Sequence, residues 1–171
     1  MDGSLLATSS HVGRTGSDGA RTSLSPMTGG RRATVDDIHE IAQTLPGVTL
    51  GGARGRSAPT VYQVSRRSFL FFRNSRPDAV DPDTGERYSD VIVFWVESEL
   101  EKEAILADAS LPFFTTPHFD GHPSVLLRGS RIGELSRDEL AGFVEGAWLS
   151  RAGPRAVARW MKEHGLPPPA A

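Results

Sequence analysis

The chain has 171 residues, with 19 Lys and Arg against 21 Asp and Glu for a formal net charge of -2, which suits one domain with a real hydrophobic core rather than two. It contains no cysteine, so a disulfide framework, a thiolate metal site and a cysteine nucleophile are excluded. No run approaches the ~18 apolar residues of a membrane span, and Leu5-Leu6-Ala7 is far too short for the apolar core of a signal peptide, so a soluble cytoplasmic protein is expected.

Residues 1–33 are rich in Gly, Ser, Thr and Arg, hold few large apolar residues and show no period, which predicts a disordered extension. At Thr34 the pattern changes. Asp37 follows three residues later, and Val35, Ile38, Ile41, Ala42 and Leu45 recur at helical spacing, so a capped amphipathic helix is expected, ended by Pro46-Gly47. After Val48-Thr49-Leu50 comes a Gly- and Arg-rich connection through Ala58. Thr60 to Val64 and Phe69 to Phe72 predict two strands joined by a short turn from Ser65 to Ser68.

Asn74 to Ser89, with two prolines, three aspartates and Asp83-Thr84-Gly85, predicts a long loop or hairpin tip. The near-continuous apolar run Val91 to Val96 predicts a central strand. Ser98 with Glu101 opens a helix to about Ala109, its buried stripe assigned to Leu100, Ala104, Ile105 and Leu106. Phe113 to Arg128 then places Asp120-Gly121 between two apolar runs, as strand, turn and strand. Ser136 with Glu139 caps a further helix, Gly153-Pro154 breaks it, and Arg155 to His164 forms the last. This order predicts an α+β domain of two layers over 34–165. An antiparallel five-stranded sheet carries helices on one face, and 166–171 form a flexible tail.

Three chemistries compete for the polar residues. His118, Asp120 and His122 alternate as metal ligands do on an extended strand, but a turn at Asp120-Gly121 swings them apart. With Thr116 they either line a small polar pocket beside the turn or merely finish a hairpin, and no metal or other cofactor is assigned. Thr115 or Thr116 beside His118 or His122 would make a hydrolytic pair, yet no strand-turn-helix elbow supports it. Gly51-Gly52-Ala53-Arg54-Gly55-Arg56 offers backbone N–H groups and cations to a phosphate, but lacks the Gly-Lys-Ser/Thr ending of a nucleotide loop.

The basic hairpin carries the functional expectation. Gly51 to Pro77 holds Arg54, Arg56, Arg66, Arg67, Arg73 and Arg76 without one acid, and Arg66 and Arg67 fall at a turn. A wing of this kind presses arginines against phosphates and gains affinity by counterion release. Arg151, Arg155, Arg159 and Lys162 form a second cluster, read mainly as balancing Glu145, Glu163 and a helix terminus. A groove lined by Tyr62, Phe72 and Trp95 would suit a protein- or small-ligand-binding module instead.

Leu45-Pro46-Gly47-Val48, the Val64 to Phe69 hairpin, the apolar central strand, the Thr116 to Val125 region and Ala147-Trp148-Leu149 together resemble the MmcQ/YjbR family of small bacterial proteins. The resemblance covers about Thr34 to Trp160. It implies a secretion-chaperone-like fold, a double-wing mode of DNA binding, double-stranded DNA as the partner, and no catalytic set. On that basis Arg54, Arg56, Arg66, Arg67 and Arg73 are the expected DNA-contacting residues, in a protein more in keeping with binding than with catalysis. Pro123 stands where the family often has an aromatic residue, and the Asn74 to Ser89 segment is longer than is typical.

Overall fold

The computed structural model describes residues 30–51 and 58–167. Helix α1 (Val35–Thr44) starts at a reciprocal cap. Asp37 N–H donates to Thr34 Oγ1 at 3.4 Å, and the Asp37 carboxylate accepts from Thr34 N–H at 2.8 Å. That carboxylate is 1% exposed and also pairs with Arg31 and Arg137, so one side chain caps α1 and ties the preceding segment to a later helix. Residues 30–33, expected within a disordered extension, are therefore docked. Ala33 is buried and its N–H donates to Leu135 O at 2.9 Å, while Arg31 O accepts from Arg137 N–H. Residues 1–29 lie outside the described residues, as do 168–171 of the expected tail.

Strands β1 (Val48–Gly51), β2 (Val61–Val64), β3 (Arg67–Arg73), β4 (Val91–Trp95), β5 (Phe113–Phe114) and β6 (Ser124–Arg128) form one antiparallel sheet in the order β1-β2-β3-β4-β6-β5. The α+β class holds, with six strands in place of five. The addition is β1, whose four residues are too few to show a period yet pair with β2 from Val48↔Val64 to Gly51↔Val61. Helices α2 (Glu99–Ala107), α3 (Arg137–Arg151) and α4 (Pro154–Glu163) complete the chain. None of the described helices is long and apolar enough to cross a membrane.

Strand alternation sorts the apolar residues onto two faces. Ile92, Phe94, Val125 and Leu127 join Tyr62, Val64, Phe69 and Leu70 beneath α1 and α3 in the main core, with Trp148 at its centre. Phe69 and Leu70, adjacent in sequence, both enter this core because the register shifts between Tyr62 and Gln63, a bulge that turns a consecutive pair inward. Helix α2 departs from expectation. Leu100 is 75% exposed, whereas Lys102 is buried with Nζ donating to the carbonyls of Phe119 and His122 at 2.7 and 2.9 Å.

The opposite face is covered by loops. Val91, Val93 and Leu126 pack there with Ala79 and Phe119, joined by Phe71, Tyr88 and Phe114. The cover is fastened where Arg73 donates through both Nη atoms to Asp78 at 2.8 Å and Thr116 Oγ1 donates to Asp78 Oδ2 at 2.7 Å. Between β5 and β6 the chain does not make the expected two-residue hairpin. Pro117–Phe119 forms a 3-10 turn, and only Gly121, at φ +73, takes the left-handed conformation.

The Arg73 side chain is 9% exposed, so removing its partner strands a buried charge. Asp78→Ala is expected to cost about 3 to 5 kcal/mol in urea denaturation, against about 1 to 2 kcal/mol for Thr116→Val. Hydrogen bonds from Arg73 hold the Asp78 carboxyl well below its ordinary range. A depressed folded value means that the stabilisation is complete above the unfolded value and lost as pH falls toward the folded one. The wild type should therefore lose stability below about pH 4 more steeply than Asp78→Asn.

Candidate nucleic-acid interface

The β2–β3 connection is a two-residue turn, since Val64 pairs with Arg67 and both intervening residues are left-handed, Ser65 at φ 52 and Arg66 at φ 64. That pair of angles matches the twist of a hairpin, a position where Asn-Gly is usual because a Cβ there costs about 1 to 2 kcal/mol per residue. The tip thus carries a long cation where glycine would fold more cheaply. Ser65, Arg66 and Arg67 are all exposed.

The tip rests against the junction of α3 and α4, where a Cβ on Gly153 would meet Ser65 Oγ at 3.5 Å. The two basic clusters that lie far apart in sequence therefore adjoin in space. Arg151, in the last turn of α3, lays its guanidinium over the Trp95 ring, 3.5 Å from the centroid. Burial pushes its proton affinity down, and the charge of Arg67 adds to that. No ion pair within 4.0 Å joins Arg66, Arg67, Arg151 or Arg155 to any described carboxylate. Arg159, by contrast, pairs with Glu163 at 2.9 Å, which removes it from the free cations.

The remaining expected residues divide. Arg54 and Arg56 lie outside the described residues. Arg73 sits at the far end of β3 from the tip, mostly covered and committed to Asp78, so it does not join the cations of the tip. A cation chosen for its charge proves to be a structural pair.

The expected polar pocket of Thr116, His118, Asp120 and His122 does not assemble. Thr116 is buried against Asp78, Asp120 is exposed, and His122 faces the Trp95 ring edge-on at 6.3 Å. His118 instead lines a cleft of about 530 Å³ with Phe71, Phe72, Phe119 and Arg76. Tyr62 belongs to no groove, being buried with its hydroxyl 2.6 Å from His39 Nδ1.

Residue-type reasoning missed Trp95 and Ser124 as neighbours of the basic surface. They are register partners on β4 and β6, and Trp95 Nε1, Ser124 Oγ and Arg151 Nε are all buried without a hydrogen-bond partner. Only the pairing of β4 with β6, invisible in local sequence, brings them together. Among the described residues no group of three His, Asp or Glu side chains is placed to hold a metal ion. Excess zinc or manganese should accordingly leave the melting temperature unchanged, and a rise of several degrees that His118→Ala abolishes would contradict the geometry.

Two mycobacterial proteins align with nearly their whole length. Uncharacterized protein Rv2570 of Mycobacterium tuberculosis and uncharacterized protein Mb2600 of Mycobacterium bovis are each 31% identical over 137 residues, covering 78% of this chain and 99% of the relative. No family model matches the chain. No solved structure matches it.

Proposed function

We propose that this chain, which belongs to the family of these mycobacterial proteins, is a cytoplasmic, non-enzymatic DNA-binding protein of the MmcQ/YjbR type. The β2–β3 wing grips the phosphate backbone of double-stranded DNA through Arg66 and Arg67, with Arg151 and Arg155 alongside.

The observation that carries this reading is Arg66 itself. It is exposed, held at φ 64 and without a carboxylate partner among the described residues, at a turn position that favours glycine. Strain retained at an exposed cation has no use in folding and a plain use in presenting charge. Most other described arginines of the domain are paired, including Arg31, Arg73, Arg128, Arg131, Arg137 and Arg159. A slightly acidic chain thus leaves four arginines without a described carboxylate partner around the hairpin tip, which favours phosphate contact without sequence readout.

A small-ligand role is the second reading, favoured by the aromatic cleft beside His118, whose volume suits a small organic molecule. It predicts ligand-dependent stabilisation that survives Arg66→Ala with Arg67→Ala.

For the DNA reading, fluorescence anisotropy with a labelled duplex should show affinity falling with salt, the logarithmic slope being about -3 to -4 for four phosphate contacts. Arg66→Ala with Arg67→Ala should shallow that slope by about 2 and weaken binding to unrelated sequences alike. Arg66→Gly separates the roles of the tip. It should raise stability by about 1 kcal/mol through relief of the left-handed strain while weakening binding about tenfold. Absent or salt-insensitive binding at low ionic strength would refute the reading.

A further inference from the structure

We infer that the cleft beside His118 binds a small, flat aromatic carboxylate, its ring laid against the phenylalanine wall and its carboxylate held at the rim by Arg76. The site rests on the small-ligand reading of this cleft and is independent of the wing.

Three segments meet around the space. The end of β3 supplies Phe71, Phe72 and Asn74, the covering loop supplies Arg76, and the turn Pro117–Phe119 supplies His118 and Phe119, about a volume of about 530 Å³. That volume accommodates a molecule of one or two fused rings. Phe71 and Phe72 are only half-buried. Each packs against a core cluster and still lines the cleft, so aromatic surface is left open on its wall.

The rings are held in place by their neighbours. Phe72 stacks on His39 with centroids 5.0 Å apart and planes at 15°. Phe119 lies 5.0 Å beneath the Arg73 guanidinium and meets the His118 ring edge-on at 5.1 Å. Arg73 is itself fixed by Asp78, and the same pair fastens the loop that carries Arg76 two residues before it. A wall set in this way offers faces and edges to another ring, which favours a flat ligand over an aliphatic one of equal size. Little ordering remains to be done on binding.

Charge selects the acid. Asp78 is the one carboxylate among the described lining residues, and its oxygens already accept from both Nη atoms of Arg73 and from Thr116 Oγ1. Asp120 is exposed nearby in sequence but does not line the cleft. Arg76, by contrast, lines it, is exposed, and has no described carboxylate within 4.0 Å. A cationic ligand would meet Arg76 and no free acid. A guanidinium fork matches both oxygens of a carboxylate, and the exposed Asn74 amide and His118 ring add donors at the same rim.

The test titrates 2-naphthoate into the ¹⁵N-labelled full chain, with neutral 2-naphthamide as the matched probe. Amides of Asn74, Arg76, His118 and Phe119 should shift saturably with naphthoate, and naphthamide should bind about tenfold more weakly. Arg76→Gln changes an exposed residue. It should lower naphthoate affinity to that of naphthamide and leave naphthamide affinity unchanged, a split that loss of structure does not produce. Arg76→Lys keeps the charge without the fork and should fall between the two. Arg66→Ala with Arg67→Ala should leave both affinities as they are.

Equal affinity for the two probes, or naphthoate binding that survives Arg76→Gln, overturns the carboxylate while the small-ligand reading stands. Naphthoate shifts centred on the hairpin tip, lost in the Arg66 and Arg67 double variant, place the acid on the wing and overturn the cleft. No saturable shift with either probe overturns the inference and the small-ligand reading together.

Discussion

The second face of the sheet depends on the pairing of Arg73 with Asp78. Strand β4 is apolar on both sides, with Val91 to Phe94 all buried, and helices cover only one of them. The other side must be closed by a loop rich in proline and aspartate, which has little apolar surface to hold it down. A bidentate ion pair from β3, extended to Thr116 on the other covering segment, fixes both flaps over Val93 and Leu126. The pair is costly to desolvate and more costly to break, so it acts as a latch whose two halves must be present together.

That latch also separates the arginines into two classes. At one end of the sheet Arg73 is consumed by Asp78 and Arg128 by Asp90 and the Tyr88 ring, while Arg76 and Arg87 stay exposed on the covering loop. At the other end, the tip of the β2–β3 hairpin adjoins the break between α3 and α4, and Arg66, Arg67 and Arg151 have no described carboxylate within 4.0 Å, although Glu97 and Glu101 line the cleft beside Ser150. Net charge therefore says little about this protein's surface. The placement of pairs decides which cations stay free, and at the hairpin tip they stay free where the backbone is strained.

Much of the fold was legible in the sequence because it is written locally. Thr34 with Asp37 and Ser136 with Glu139 announce helix starts through side chains three residues apart, and both boxes close as expected. What was not legible depends on partners distant in the chain. Lys102 is missing from the stripe assigned to its helix because its acceptors, the carbonyls of Phe119 and His122, lie in another segment. Arg73 looked like part of a basic face, since nothing near it in sequence reveals that Asp78 is anchored from behind by Thr116. The docking of residues 30–33 likewise depends on Arg137 and Leu135. Of the site, Arg66 and Arg67 could be named from the turn. The company of Arg151, Trp95 and Ser124 could not, because strand register and a helix break create it.

The claim that free charge at the hairpin end of the sheet is the working surface is tested most directly by mapping backbone amide shifts on adding an unlabelled duplex at low salt. The account predicts shifts confined to Ser65–Arg67, the α3–α4 junction around Gly153 and the strand end at Trp95. The Arg73–Asp78 latch and the cleft beside His118 should stay silent. Shifts centred on residues 74–90 and 117–119 instead, or no shifts at all, would contradict it.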